Sequence, residues 1–221
     1  MISVAIVDDH QLFRKSLSLL LNSFEEIQTV FDTDDGKELL AFLDNSKLDV
    51  ALLDLQMPLM DGYELCRQLR VNHPKVKIVI VSQLTTKEAV HKVMELGANG
   101  FFTKNSPPDQ LEIAIKSVIE KDYYFDLELS AVIREAILWE KKVTGHFFSS
   151  NDNKNFSKRE IEILLLSCRE FSSKQIASNL FISVRTVEKH RNHIMEKANS
   201  KNFIGAILFA LKNKFISLDE V

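Results

Sequence analysis

Cysteine and long apolar runs are both scarce in this chain. It has 2 cysteines among 221 residues, Cys66 and Cys168, and neither has a second cysteine nearby that would complete a metal or redox motif. We expect both to be reduced thiols in the core. No run of about 18 apolar residues is present to cross a bilayer, and the first residues, MISVAIVDDHQ, include neither a basic leader nor a small-residue cleavage site. These absences predict a cytoplasmic protein without a membrane partner.

Internal repeats and low-complexity blocks are also absent, and the charge that is present is divided unevenly. Residues 1–156 contain 17 Lys and Arg against 24 Asp and Glu, whereas residues 157–221 contain 11 against 7. An acidic body joined to a basic carboxy-terminal part is typical of a polyanion-binding module under separate control. With 45% apolar residues, the chain can form one large domain or two ordinary ones.

The first 120 residues alternate between strand and helix patterns. Short apolar runs, rich in β-branched residues where they are strongest, are typical of strands buried on both faces; they lie at 3–7, 27–31, 49–53, 76–81 and 100–103. The segments between them have helical spacing, as in Leu12, Ser16, Leu19 and Leu20. Five such units predict an α/β fold, a doubly wound parallel sheet with helices on both faces.

Polar side chains follow four of the five predicted strands. Asp8 and Asp9 follow the first, Asp54 the third, Ser82 the fourth and Lys104 the fifth. Ligands of open α/β sheets bind beyond the carboxyl ends of the strands, so these groups should converge on one rim. Three neighbouring carboxylates repel one another, and a hard divalent cation such as Mg²⁺ relieves that repulsion.

This arrangement suits phosphoryl transfer. With Asp8 and Asp9 on the metal, Asp54 can attack a phosphoryl group as a nucleophile. Lys104 would pair with a phosphoryl oxygen, and Ser82 would donate a hydrogen bond to another. Each residue alone also has an ordinary explanation: a helix cap for Asp8 or Asp9, a solvated charge for Lys104, a turn for Ser82. Their joint placement at strand ends favours a site.

From about residue 121 the alternation ends. Apolar residues over 131–139 predict one more helix, and the polar stretch 144–155 predicts a linker. Beyond it the pattern is purely helical, with a capping box at Ser157 and Glu160 and two helices joined by Phe181-Ile182 as in a helix-turn-helix. The chain therefore divides into residues 1–120, a connector over 121–155 and a small all-α domain over 156–221.

The second helix of that helix-turn-helix has two distinct faces. Val187, Ile194 and Ala198 share a narrow arc that should face the core. The remaining arcs offer donors and acceptors for base edges and cations for phosphates: Arg185, Thr186, Glu188, Lys189, His190, Asn192, His193, Glu196 and Lys197. A solvated helix could have the same charges, and the helical wheel alone leaves both interpretations open.

These motifs resemble a known family. Residues 1–120 are similar to the receiver domain of two-component response regulators through VDDH, LLDLQMPLMDG, IVIVSQ and GANGFFTK. Residues 156–200 resemble the LuxR-type DNA-binding domain of the NarL/FixJ class, and RTVEKHR is especially similar to its nitrogen-fixation regulators.

The resemblance implies specific roles in the receiver. The fold would be flavodoxin-like with strand order 2-1-3-4-5, and Asp54 would accept a phosphoryl group from a sensor histidine kinase. Mg²⁺ would be held by Asp8, Asp9, Asp54 and the backbone carbonyl of Gln56. Ser82 and Phe101 would form the switch, although Phe101 alone also fits ordinary strand core.

In the carboxy-terminal domain the resemblance implies a recognition helix over 184–198, a phosphate contact at Lys174 and a dimer surface on a last helix over about 203–214. The expected protein is a transcriptional response regulator that binds double-stranded DNA as a homodimer when active. It would not be an enzyme, apart from slow autophosphorylation and autodephosphorylation at Asp54.

Three positions depart from the family pattern. Gln83 replaces a small residue after the switch hydroxyl, and its side chain could partly cover the phosphoryl site or contact it. Asn105-Ser106 separate Lys104 from the prolines that follow. Glu170 replaces the usual glycine before the second helix of the domain, which predicts a looser loop.

Two rival functions are weighed against this one. A haloacid-dehalogenase-type phosphatase needs a second acid two residues after its nucleophile, where this chain has Gln56. A phosphorylation-independent DNA-binding protein would not require the full set of Asp8, Asp9, Asp54 and Lys104.

Overall fold

The computed structural model describes residues 1–84, 86–124 and 156–216. The chain separates into two compact units, Met1–Asp126 and Leu127–Val221. The helix predicted over 131–139 and the linker predicted over 144–155 lie outside the described residues.

A five-stranded parallel sheet forms the centre of the first unit. Its strands are β1 (Ile2–Val7), β2 (Ile27–Thr33), β3 (Val50–Leu53), β4 (Lys77–Ser82) and β5 (Gly100–Thr103). Their order is β2-β1-β3-β4-β5, so the predicted α/β class and strand order are confirmed. Every residue of β3 and β5 is buried, as expected for parallel strands with helices on both faces.

Three of the five helices described in this unit begin at a polar side-chain cap. They are α1 (Gln11–Asn22), α2 (Gly36–Leu43), α3 (Gly62–Asn72), α4 (Lys87–Leu96) and α5 (Asp109–Lys121). The side chains of Asp35, Asp61 and Thr86 accept hydrogen bonds from first-turn amides of α2, α3 and α4. Such caps satisfy backbone donors that the helix leaves unpaired.

The buried face of α1 differs from the prediction. Leu12 and Leu19 are 82% and 75% exposed, whereas Arg14 is 8% exposed and buried beside Leu17 and Leu21. Arg14 faces inward because its guanidinium donates to the backbone oxygen of Asp8 and has a carboxylate partner on β2. A paired charge can thus occupy a core-facing position that apolar spacing assigns to leucine.

The strand register aligns the carboxyl ends of β1 and β3, and β4 and β5 extend two residues further in the same direction. Val7 pairs with Leu53, Leu53 with Ile80, and Ser82 with Thr103. The residues that follow β1, β3 and β5 therefore leave the sheet at the same edge.

Four helices form the described part of the second unit. They are α6 (Lys158–Cys168), α7 (Ser173–Asn179), α8 (Val184–Ala198) and α9 (Phe203–Lys212). The capping box at Ser157 and Glu160 is present, as predicted, and Ser172 with Gln175 forms a second. The core contains buried apolar residues from all four helices: Ile163, Leu164, Ile176, Val187, Ile194, Phe203, Ile204 and Ile207.

Glu170 and Phe181 are two of the four non-glycine residues in the described part of this unit whose backbone is left-handed. Glu170 has φ 63° and Phe181 has φ 55°. The looser loop expected at Glu170 is not observed, since the amides of Glu170 and Phe171 bond back to Ser167 and Leu166 at 2.9 and 3.1 Å. A glutamate here adopts the tight conformation that glycine adopts more easily.

Both cysteines are free thiols; Cys66 is buried and Cys168 is half-buried. Across the described ranges of the chain, no helix combines the length and apolar character needed to cross a membrane.

Candidate functional site

The carboxyl ends of β1, β3 and β5 bring Asp8, Asp54 and Lys104 into contact. Nζ of Lys104 is 2.7 Å from Oδ2 of Asp8 and 2.7 Å from Oδ2 of Asp54. The side chains are only 3% exposed for the two aspartates and 7% for the lysine. One buried ammonium therefore bridges two buried carboxylates. The strand register brings these three groups together at the carboxyl edge of the sheet.

Backbone amides fix the orientation of the Asp54 carboxylate. Its Oδ1 accepts from the amide of Leu55 at 2.7 Å and from that of Gln56 at 3.4 Å. The amide of Asp54 donates to the carbonyl of Val7 at 2.9 Å. Both the main chain and the side chain of Asp54 are thereby held against the ends of neighbouring strands.

Asp9 has an acceptor that the surrounding protein does not satisfy. Its Oδ1 is buried without a hydrogen-bond partner, and Nδ1 of His10, 3.0 Å away, forms an ion pair only as an imidazolium. One ligand atom from each of Asp8, Asp9, His10 and Asp54 lies within 4.8 Å of the others. Three clustered carboxylates with an unsatisfied buried oxygen fit a divalent cation.

The two carboxylates keep Lys104 charged. Burial alone would lower the pKa of the Lys104 ammonium, but its hydrogen bonds to Asp54 and Asp8 outweigh burial and raise the pKa above the ordinary value. The site therefore contains a fixed positive charge beside Asp54 at neutral pH.

Ser82 and Phe101 are both buried near the carboxyl edge of the sheet. Ser82 is fully buried, its hydroxyl oxygen accepts from the amide of Leu84 at 3.2 Å, and its carbonyl accepts from the amide of Lys104 at 3.0 Å. Phe101 is 2% exposed, which agrees both with strand core and with an inward switch position. The side chains of Gln56 and Gln83 are exposed.

Gly62 allows α3 to begin directly against Asp54. A Cβ at Gly62 would lie 2.1 Å from the carbonyl oxygen of Asp54 and 2.8 Å from Cα of Leu55. No side chain fits that space, so glycine is required for this close approach.

Arg14 is a site residue that the sequence pattern missed. Besides its bond to the Asp8 carbonyl, its Nε is 3.3 Å from Oδ2 of Asp32, and Nζ of Lys15 is 2.8 Å from the same oxygen. The hydrogen bond from Lys15 is the main cause of a lowered pKa at Asp32. Arg14 thus connects Asp8 in the acid cluster to Asp32 on β2. Because Arg14 lies among leucines in the sequence, the apolar pattern did not predict this role.

A second candidate surface lies on the outward side of α8. Arg185, Lys189 and Asn192 are exposed there. An open hollow on this surface is lined by Ser183, Arg185, Thr186, Glu188, Lys189 and Asn192. Lys174 and His193 are also exposed, and His190 is half-buried.

Lys197 is partly exposed, and its ammonium pairs with a buried acid on α6. Its Nζ lies 2.6 Å from Oε2 of Glu160, whose side chain is 4% exposed. Burial would raise the pKa of Glu160, but the bonds from Lys197 and Ser157 lower it below the ordinary value. The DNA contact predicted at Lys197 stays a prediction, and the structure shows that its ammonium also neutralises a buried capping acid.

Arg191 is buried although it lies between predicted outward residues. Its guanidinium carbon is 4.1 Å from the centre of the Phe203 ring, and Nη1 donates to Oγ of Ser173 at 2.9 Å. Nothing in the apolar spacing of α8 indicates that an arginine anchors it to α7 and α9.

Comparison with known proteins identifies both parts of the chain. The model of the response regulator receiver domain matches residues 4–116. The chain belongs to the response regulators. The model of bacterial regulatory proteins of the luxR family matches residues 154–210 of this response regulator. It is therefore a transcription regulator with a receiver and a LuxR-type DNA-binding domain, as the sequence predicts.

Relatives align with this response regulator over nearly its full length. The oxygen regulatory protein NreC of Staphylococcus epidermidis is 34% identical over 214 residues, covering 96% of this chain and 98% of the relative. NreC of Staphylococcus aureus is 34% identical over 215 residues, with 96% and 98% covered.

Solved structures share the fold at lower identity. The response regulator RcsB in complex with DNA has a TM-score of 0.57 and 21% identity, covering 96% of this chain and 98% of that one. A LuxR-family response regulator from Aurantimonas has a TM-score of 0.58 and 24% identity, covering 62% of this chain and 97% of its own.

Proposed function

We propose that a sensor histidine kinase transfers a phosphoryl group to Asp54 and that this controls dimerisation and binding of double-stranded DNA through α8. The observation that carries the proposal is the single ammonium of Lys104, 2.7 Å from both Asp8 and Asp54. In the transfer, the P–N bond of a phosphohistidine breaks as an oxygen of Asp54 forms the P–O bond. Regulators that carry DNA-binding domains act in the cytoplasm, and we place this one there.

Mg²⁺ is the cation that best fits the acid cluster. The carboxylates of Asp8, Asp9 and Asp54 and the carbonyl of Gln56 would hold it, since Mg²⁺ prefers oxygen ligands. When bound, it neutralises charge on the transferring phosphoryl group.

Lys104 and Ser82 would respond to the phosphoryl group. Lys104 already faces Asp54 and can pair with a new phosphoryl oxygen without leaving the site. If the Ser82 hydroxyl turns to donate to that group, its bond with the Leu84 amide is lost. The β4–α4 loop would then change conformation, with Phe101 holding the inward position.

DNA contacts are proposed for the outward face of α8 and the start of α7. Arg185, Lys189, Asn192 and His193 are exposed there, as is Lys174 at α7, while Thr186 and His190 are half-buried beside them. A recognition helix lies in the major groove, and a dimer spaces its half-sites about one turn of DNA apart. We propose α9 as the dimer surface on DNA.

We further propose that the protein has no enzyme activity beyond slow autophosphorylation and autodephosphorylation at Asp54. Gln56 supports this, because it stands where a dehalogenase-type phosphatase has its second acid. Sustained hydrolysis of phosphate esters by the purified protein would favour the phosphatase instead.

The proposal is tested with beryllofluoride, which mimics an aspartyl phosphate. Molecular size and DNA affinity are measured with and without beryllofluoride and Mg²⁺. Wild type should become dimeric and bind DNA more tightly, and Asp54→Asn should not respond. Asp34→Asn removes a 65% exposed acid near the site and should respond like wild type. Equal DNA affinity for wild type and Asp54→Asn in both conditions would support phosphorylation-independent binding.

A further inference from the structure

A chain of hydrogen bonds runs beneath the recognition helix. Nη1 of Arg191 is 2.9 Å from Oγ of Ser173, and Oγ of Ser173 bonds to Oε1 of Glu188. The guanidinium can only donate and an ionised carboxylate can only accept. The Ser173 hydroxyl must therefore accept from Arg191 and donate to Glu188.

Ser173 and Arg191, the two buried members of this chain of hydrogen bonds, are rigidly placed. Ser173 is 5% exposed and the Arg191 side chain is 3% exposed, and the guanidinium lies over the ring of Phe203. Buried, hydrogen-bonded partners of this kind restrict the rotamer of the group that they support. The Glu188 carboxylate is consequently held in one orientation.

Glu188 itself reaches the outward surface. Its side chain is 50% exposed, and it lines the same hollow as Arg185, Lys189 and Asn192. Within the described residues, Oε1 has its Ser173 partner and Oε2 has none. An oriented acceptor is thus available on a surface that otherwise offers mainly donors.

A carboxylate on a DNA-binding surface needs a donor from DNA. Phosphates repel it, and a base edge is the partner that can compensate. Cytosine presents an N4 amino donor in the major groove with no adjacent acceptor, whereas adenine places its N7 acceptor beside its N6 donor. A fixed carboxylate therefore favours cytosine over adenine.

We propose that Glu188 recognises a cytosine in the major groove through its N4 amino group, and that Ser173 and Arg191 are positioning residues for that contact. This inference rests on the proposed binding of DNA by α8. It adds a specific base preference and a second layer of residues that enforces it.

The test is selection of bound sequences from a random double-stranded DNA library by the full-length protein with beryllofluoride and Mg²⁺. Wild type should enrich a cytosine at one position of each half-site. Glu188→Gln should shift that position toward adenine, by about tenfold in the ratio of the two bases, because an amide bonds both N6 and N7 of adenine. Ser173→Ala should lose the cytosine preference, and Ser173→Thr, which keeps the hydroxyl, should retain it.

Glu162→Gln is the matched control, since it removes the same charge from a side chain on α6 that is 51% exposed. Its enriched sequences should equal those of wild type, and thermal melting should show that every variant is folded. A Glu188→Gln variant that still selects cytosine overturns the inference and assigns Glu188 to packing with Arg191. If wild type enriches no sequence in either phosphorylation state, the proposed DNA binding itself fails.

Discussion

Among single residues of the first unit, Lys104 is a cation that pairs with two buried acids. Asp8 and Asp54 are both buried, and a buried charge without a partner costs several kcal/mol. Lys104 is the cation that contacts both carboxylates. Loss of its ammonium would leave two like charges facing each other at the sheet edge.

Lys104→Met should lower the free energy of unfolding by about 3–5 kcal/mol in the absence of metal, the usual loss when one partner of a buried ion pair is removed. Mg²⁺ should restore more stability to the variant than it adds to wild type, because the cation replaces part of the missing charge. Urea denaturation with Mg²⁺ and with EDTA measures both. Lys75→Met, at an exposed lysine, is the control, and an equal loss in the control would contradict the expectation.

The pH dependence of the Lys104 contribution has a defined sign. The pKa of Lys104 in the folded protein lies above its ordinary value of 10.5. Its stabilisation is therefore complete below 10.5 and is lost as the pH rises through the raised pKa. Alkaline denaturation should show a stability difference between wild type and Lys104→Met that shrinks in that range.

Phe181 combines a strained backbone with an exposed side chain. It has φ 55° and is 95% exposed, so a smaller residue that tolerates this conformation loses little packing. Phe181→Asn should raise the free energy of unfolding by about 0.5–1 kcal/mol. This gain is part of the cost of holding a non-glycine residue in the left-handed backbone conformation. Phe181→Leu keeps the unfavourable backbone and should show no gain. Thermal melting of both variants decides the point.

Some site residues could be predicted from sequence and others could not. Asp8, Asp54 and Lys104 follow apolar strands, and parallel strand ends meet at one edge, so their convergence was predictable. Arg14, Arg191 and Lys197 were treated as outward-facing or went unnoticed, since apolar spacing carries no information on which acceptor a long cation reaches. Each is buried or held by a specific oxygen that only the folded chain brings near.

Among the helices, α8 shows how ionic contacts fix an element that also presents a surface. Arg191 joins it to α7 and α9, and Lys197 joins it to Glu160 on α6. Its apolar residues, Val187 and Ile194, were predicted correctly as the core face. The pattern therefore predicted where α8 packs, while the contacts that fix its angle needed the structure.

Lys197→Met should destabilise the second unit because Glu160 would remain buried without its cation. The pKa of Glu160 is lowered in the folded state, so its stabilisation is present above the ordinary value of 4.5 and is lost as the pH falls through the lowered pKa. The variant should accordingly differ most from wild type near neutral pH and least in acid, as measured by urea denaturation.

DNA affinity distinguishes this internal role from a phosphate contact. Lys197→Met should leave the affinity and its salt dependence unchanged at temperatures where the variant is folded. Lys189→Met should weaken binding and reduce the salt slope by about one unit. A reduced salt slope for Lys197→Met would instead support the DNA contact predicted at this lysine.

For the whole molecule, the division into an acidic and a basic part is the dominant feature. The net charge is −3, yet the excess of cations lies beyond residue 156. The second unit has its own buried core over α6 to α9. Composition predicted this division, whereas the course of residues 125–155 lies outside the described chain.

A fragment of residues 150–221 should bind the selected DNA with no response to beryllofluoride, whereas the full-length protein should gain affinity. The reason is that Asp54 and its neighbours are absent from the fragment while the surface of α8 is retained. Fluorescence anisotropy with a labelled duplex measures both. A response in the fragment would show that beryllofluoride acts outside the acid cluster.

The position of Lys104, late in the sequence of the receiver, also has a consequence for the newly made protein. Asp54 leaves the ribosome 50 residues ahead of Lys104, and β5, the strand before Lys104, is the last strand of the sheet in the chain. A nascent chain that ends before β5 has the carboxylates but lacks the ammonium that bridges them. We therefore expect a chain that ends before β5 not to accept the proposed phosphoryl group.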